Sequence, residues 1–399
     1  MTVQTAETPI REPIFTRDFT LVFLANLANF LGFYLLMATL PLYIARSVDR
    51  EWLVGLILGV FGITGVVVRP LVGRLSDLRG GKVWMLGGAT VLLGTMLLFG
   101  RAHGAPSLFL LRVLHGVGWA AFGTASSAMI ALIAPARRRG EAMGYFGVST
   151  NVAMAIAPAV GVLIVGAHAR YNELFLVSAA LVLLAGACAL PVGDRRAESH
   201  APAAGLQGFV LRSALFPSLV AGISTLTYAS VVFFLPQYTA HFGLGNAGLF
   251  FTVLAVVLVI TRGPLGWLSD RVGRALVVGP GLLVSAAGTV LLALWPTPVM
   301  LLAAAVVYGI GTAAVQPTLM AMATDGAHPA RRGAAMGTYT TAFDLGIGAG
   351  AALWGWVIGA TNFQMMYALS AGMCVIGVIV LAAGSGLARR QAIPQDSQG

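Results

Sequence analysis

Gly73-Arg-Leu-Ser-Asp77 returns later in the chain as Gly266-Trp-Leu-Ser-Asp270, displaced by 266 − 73 = 193 residues. The same displacement carries Arg69 to Arg262, Gly116 and Gly118 to Gly309 and Gly311, and Gly140-x-x-Met143-Gly144 to Gly333-x-x-Met336-Gly337. Chance does not hold one spacing across five sites, so the chain is two copies of one unit. Leu40-Pro41 and Leu235-Pro236 drift from that spacing, which places a small insertion before the second pair.

The residues around these markers name the solvent. Of 399 residues 58% are hydrophobic and only 10% charged, against about 25% charged in a soluble domain. Cutting this length into water-soluble domains would demand far more polar surface, so the solvent is the bilayer. Apolar runs long enough to cross a core about 30 Å thick occupy 19–42, 53–74, 82–100, 106–130, 142–166, 172–192, 214–239, 246–268, 276–295, 299–323, 334–359 and 363–385. This predicts an all-α membrane protein of twelve transmembrane helices. One repeat spans six of them, an even number, so both halves keep the same orientation and form two parallel, pseudo-symmetric six-helix bundles. The bundles are 1–193 and 213–399, joined by an Ala/Pro/Gly-rich linker at 194–212.

The net charge of +10 is a matter of topology and predicts no nucleic-acid partner. With the N-terminus inside, 19 of the 24 basic residues fall on even-numbered connections and tails, Arg69 and Arg262 counted among them. That asymmetry predicts an inner (plasma) membrane protein with both termini cytoplasmic. The first apolar run is too long for the core of a cleaved signal peptide. Cys188 and Cys374 sit inside apolar runs, which argues against a disulfide framework or a cysteine zinc site. Gly243-Leu-Gly245-Asn-Ala-Gly248 matches a dinucleotide fingerprint but lacks the βαβ setting that the fingerprint needs. No Ser/His/Asp set, catalytic carboxylate pair or metal-ligand spacing occupies a connection, so no enzyme, cofactor or metal is predicted.

Gly73-Arg-Leu-Ser-Asp77-Leu-Arg-Gly80-Gly-Lys82, with its second copy from Gly266 to Arg274, resembles the signature loop of the major facilitator superfamily. The resemblance covers essentially all twelve spans. It implies two bundles working by alternating access around a midplane site, on a small-molecule substrate, as monomers in the lipid bilayer. It also implies gates built from Gly73, Asp77, Arg79 and Lys82 in one half, and Gly266, Asp270, Arg271 and Arg274 in the other. In each half the glycines allow close approach, and the acids accept from arginines and helix N-termini.

Phe109-Leu-Leu-Arg112-Val-Leu-His115-Gly116-Val-Gly118 is similar to the family's fourth-helix motif, with His115 where the family often has Gln. The likeness ties Arg112 to proton coupling. An Arg inside hydrocarbon should face a polar interior, although at this depth snorkelling to the headgroups is the alternative. His115 follows one turn on, with a side chain suited to proton transfer or simply to packing. Asp344 stands about 15 Å into the eleventh span. Hydrocarbon disfavours its charged form, making it the candidate proton carrier with Arg112 as its regulator, and a cross-helix hydrogen bond is the structural alternative. Its repeat mate, 193 residues earlier, is Asn151.

Gly144-x8-Ala153-x3-Ala157-Pro158-x2-Gly161 resembles the family's antiporter motif, with Ala in place of two of its glycines and Val162 in place of another, and the eleventh span keeps the spacing as Gly337, Gly346 and Gly350. Such small residues let helices pack closely. Because spans one, four, seven and ten line the cavity in this family, the resemblance nominates Asn26, Asn29, Phe33, Ser224, Thr227, Tyr228, Tyr308 and Gln316, with Asn151, as cavity residues. These readings point to proton-coupled efflux of a small organic solute or drug. A proton symporter or facilitator for a nutrient such as a sugar, and a non-transporting receptor on the same fold, are the alternatives.

Overall fold

The computed structural model describes residues 13–48, 50–135, 138–166, 168–194, 211–325, 327 and 332–391; the side chains of Asp77 and Asn151, and Gly144, lie outside what it describes. Thirteen α-helices follow in order: α1 Arg17–Met37, α2 Leu40–Ser47, α3 Glu51–Arg79, α4 Gly81–Phe99, α5 Ala105–Ile133, α6 Arg139–Val165, α7 Tyr171–Ala189, α8 Arg212–His241, α9 Ala247–Val272, α10 Arg274–Leu294, α11 Pro298–Asp325, α12 Arg332–Ala360 and α13 Phe363–Gln391. Every one except α2 contains a stretch long and apolar enough to cross a membrane. Large apolar side chains such as Leu163, Leu183, Val259 and Ile379 stand exposed on their outer faces, which only lipid makes affordable. The protein is a multi-pass membrane protein.

The first predicted span is two helices. Pro41, in the first turn of α2, cannot donate a backbone hydrogen bond, and its ring opposes the carbonyl four residues back. The chain therefore breaks at Ala38–Thr39, where the Thr39 hydroxyl donates to Leu35 O at 2.9 Å. The repeated signature is also not a loop. It forms the last turns of α3 and α9, and the turn itself is a single glycine in each copy. Gly80 (φ 89°, ψ 150°) and Gly273 (φ 104°, ψ 141°) adopt the same conformation, which L side chains rarely enter. Each donates its N–H to a matched serine carbonyl, Ser76 at 2.9 Å and Ser269 at 3.2 Å.

The halves repeat in packing as well. In the first bundle α1 packs on α6 and α7, α5 on α3 and α4, and α4 on α7; in the second α8 packs on α12 and α13, α11 on α9 and α10, and α10 on α13. The paired glycines explain the match. A Cβ on Gly116 would meet Phe61 O and Thr64 of α3 at 2.9 Å, and one on Gly309 would meet Val257 of α9 at 2.9 Å. Gly118 and Gly311 make the corresponding approaches to Gly88 O and Gly281 O.

The most extensive contacts between the bundles are α3 with α12 and α6 with α9, and α2 also meets α8, where the Gln237 amide donates to Pro41 O at 3.4 Å. We call the face where α1 starts and α13 ends the terminal face, and the opposite one distal. The α3–α12 seam occupies the distal half and is made of glycine. A Cβ on Gly55 would lie 2.7 Å from Gly355 Cα, one on Gly348 2.7 Å from Gly59 O, and one on Gly62 2.8 Å from Gly348 Cα. Gly248 of α9 likewise approaches Ala159 Cα of α6 at 3.3 Å. Towards the terminal face this ends: Gly73 reaches only Thr124 of its own bundle, while Gly263, Gly266 and Gly337 face open space. The bundles are closed distally and open terminally.

Candidate functional site

A cavity of about 480 Å³ lies between the bundles. Tyr34 of α1 and Met154 and Pro158 of α6 wall one side, while Tyr228 of α8, Phe251, Leu254 and Leu258 of α9, and Thr312 and Gln316 of α11 wall the other. A second space of about 250 Å³ continues into the second bundle past Ser224, Thr227, Ser285, Tyr308 and Cys374, sharing Tyr228, Thr312 and Gln316 with the first. Five sequence-nominated residues, Ser224, Thr227, Tyr228, Tyr308 and Gln316, therefore meet around these connected spaces. Thr227 also ties helices together, its hydroxyl donating to Ser370 O at 3.0 Å.

The nominees of the first span sit elsewhere. The Asn26 amide donates to the Ser149 hydroxyl at 2.8 Å and its oxygen accepts from Ser126 at 3.4 Å, a polar knot joining α1, α5 and α6 inside the first bundle. Asn29 is equally buried, and among the described residues its side chain has no hydrogen-bond partner. Phe33 stacks on Trp119 with centroids 3.9 Å apart and on Phe61 at 5.3 Å.

That aromatic cluster encloses Arg112 and His115. Arg112, 3% exposed, lays its guanidinium over Phe61 at 4.5 Å and donates to Leu58 O at 3.1 Å. It does not snorkel. His115 Nδ1 is 3.4 Å from its Nη1, and the imidazole meets Phe33, Phe61 and Phe99 edge-on. Arg112 Nε and His115 Nε2 are buried without a partner among the described residues.

Arg112 is not the partner of Asp344. The carboxylate pairs with Arg69 of α3, a contact across the two bundles at the terminal end of the glycine seam. Helix geometry is the reason: Arg112 of α5 turns into its own bundle toward Leu58, whereas α3 carries Arg69 on the face that meets α12. Gly65, whose Cβ would lie 3.3 Å from Asp344 Oδ2, leaves the acid room to reach it. Their side chains are 23% and 15% exposed, so the pair is held between bundles yet reachable from the open side.

Counting Arg69 and Arg262 among loop charges is corrected in the same way, because both lie inside helices. Arg262 sits on α9 one turn beyond Leu258. The signal that singles them out is present in the repeat: two arginines at matched places within apolar runs.

At the terminal face the second gate copy is satisfied within its own bundle. Arg274 pairs with Asp270, and donates to Asp325 Oδ2 at 3.0 Å and Ser269 Oγ at 2.9 Å. Arg271 lies over Trp267 at 4.0 Å. In the first copy Gly80 abuts the Asp194 carboxylate, Arg79 is exposed and Lys82 half-buried. Among the small residues, Gly161 approaches Leu35 of α1, Gly346 meets Gly222 and Thr225 of α8, and Gly350 meets Ala229 and Leu226 of α8. Gly337 packs against nothing, a Cβ there meeting no atom within 4 Å, so it is not a packing residue in this state.

The sequence profile described as Major Facilitator Superfamily matches residues 22–261 and 218–396. The staphylopine export protein of Staphylococcus aureus is 24% identical over 347 residues, 82% of this chain and 86% of that protein. Multidrug resistance protein 1 of Bacillus subtilis is 30% identical over 165 residues, 41% of this chain and 42% of that protein. Among solved structures, that of a bacterial homolog of the human lysosomal transporter Spinster, described as inward-facing and unoccupied, superimposes with a TM-score of 0.73 at 17% identity, covering 93% of this chain and 95% of that one.

Proposed function

The chain belongs to the major facilitator superfamily and is a transporter, and from that premise we propose that it exports a small organic solute in exchange for protons, with both termini in the cytoplasm. The observation that carries this reading is the Asp344–Arg69 pair, the one titratable ion pair found between the bundles among the described residues. With the terminal face cytoplasmic, the structure is the inward-open state. In it Arg69 stabilises the Asp344 carboxylate, and the pair adds a charge-assisted bond to the closed distal seam. Opening the distal side moves α3 from α12 and takes the cation away. A carboxylate left in a low-dielectric site then favours a proton. A proton is thereby taken up outside and released inside, where the pair reforms. The name of one relative, an export protein, supports the direction.

Proteoliposomes test this. Solute flux opposed by proton movement is expected, and Asp344→Asn should abolish the proton movement while the protein still folds and binds. Arg69→Gln should weaken coupling without removing the titrating group. Flux with no proton movement, unchanged in Asp344→Asn, would make the protein a facilitator and Asp344 a packing residue. Proton movement alongside the solute would make it a symporter.

A further inference from the structure

We propose that Gln316 receives the polar group of the solute in the central cavity, and that the solute is uncharged, with a carboxamide or another group that both donates and accepts hydrogen bonds on an aromatic or apolar body. The inference rests on the reading of this cavity as the substrate site and adds the chemical class of what enters it.

Three observations carry it. The first is place. Gln316 lines both the chamber between the bundles and the smaller arm inside the second bundle. Tyr308, Thr312 and Gln316 recur every fourth residue along α11 and so share one face of it, and all three line the arm together with Ser224 and Thr227 of α8.

The second is free hydrogen-bonding capacity. The backbone oxygen of Gln316 accepts from the Tyr339 hydroxyl at 3.0 Å, which ties α11 to α12 at this residue, while its side-chain amide has no partner among the described residues. The hydroxyls near it are committed. Ser224 donates to Ala221 O at 2.9 Å and Thr227 to Ser370 O at 3.0 Å, so both present acceptor lone pairs to the arm. The Tyr228 hydroxyl reaches only the Met154 sulfur, 3.9 Å away across the two bundles. Gln316 adds two N–H donors and an acceptor on one planar group, the complement of a carboxamide.

The third is charge. Every polar side chain among the described residues lining the two spaces is an uncharged hydroxyl, phenol, amide or thiol, and the Asp344 carboxylate is engaged by Arg69. A charged group brought here would leave water without gaining a counter-charge. An amide instead exchanges its water for Gln316 and the oxygens of Ser224 and Thr227, and the apolar walls of Met37, Phe251 and Leu254 take the body.

Competition binding to the purified full chain tests the proposal, with tritiated 1-naphthamide as the reporter on scintillation-proximity beads at neutral pH. The unlabelled competitors share one shape: 1-naphthamide itself, 1-acetonaphthone, which keeps the carbonyl and loses the N–H donors, the anion 1-naphthoate, and the cation 1-naphthylmethylammonium. The amide should bind about fivefold or more tightly than the ketone, and each charged probe about tenfold or more weakly than the amide. Gln316→Leu should bring the amide-to-ketone ratio close to one, and Gln316→Asn should keep part of it. A charged probe that matches the amide, a ratio of one in the wild type, a ratio that survives Gln316→Leu, or no measurable naphthamide binding would each overturn the proposal. Should Gln316→Leu fail to fold, the wild-type ranking and Gln316→Asn still decide. Ala255→Phe, which fills the chamber from α9, should weaken every probe. Unchanged binding there would remove the cavity as the substrate site, and the proposal with it, whereas a lost ranking in a chain that Ala255→Phe still blocks overturns the assignment of Gln316 alone. No gradient enters the measurement, so the vesicle result stands or falls separately.

Discussion

His115 shows how a buried polar side chain is held where no hydrogen bond anchors Nε2 among the described residues. The imidazole is wholly buried and works as an aromatic wedge against three phenylalanine rings. Truncation by His115→Ala should open a cavity costing about 3 kcal/mol, measured as a lower unfolding temperature in detergent. His115→Phe keeps the volume and should restore most of that stability. The pair of variants also separates roles, because proton movement that persists in His115→Phe excludes the imidazole from coupling. At this scale the sequence was partly readable. Asp344 stood out as a lone acid in an apolar run, but its partner is 275 residues away, and no local pattern joins the two. Arg112 was readable as a costly charge inside hydrocarbon; that it faces α3 within its own bundle depends on how α5 is rotated.

Among the elements, α3 and α12 bear the closest approach between bundles. Small residues let backbones touch in lipid, where apolar burial drives no association and van der Waals packing takes its place. Gly348→Leu should therefore cost about 1–3 kcal/mol of the closed distal seam and shift the population toward distal-open. Spin labels at Arg50 and Thr361, in a chain lacking Cys188 and Cys374, would report this as a longer distance component. Gly87→Leu, at a glycine whose Cβ meets nothing, is the matched control, and an identical distance distribution in both variants would remove the seam from gating. The glycine stripe of α3 is visible in the sequence. Which helix it packs against is not, since α6, α12 and several other helices carry similar stripes.

For the whole molecule, the basic connections predict which face meets the cytoplasm. Cysteines substituted at Arg170, on the distal side, and at Arg271, near the terminal end of α9, should label oppositely: an impermeant maleimide on intact cells should reach the first alone. Labelling of Arg271→Cys in intact cells would invert the topology and with it the proposed direction of export. The distal seam and the absence of its counterpart at the terminal face among the described residues make this orientation the premise of every step in the exchange cycle.

Twelve crossings, the repeat and the membrane setting follow from the sequence alone, because each is written in local composition and in a fixed spacing along the chain. The hydrocarbon core forces apolar runs of a set length, and duplication preserves matched glycines and arginines. The break at Ala38–Thr39, the Asp344–Arg69 partnership and the placing of Arg112 in an aromatic pocket came only with the tertiary structure. Each depends on helix rotation and on contacts between distant segments, and those are fixed by packing across the interface of the two halves.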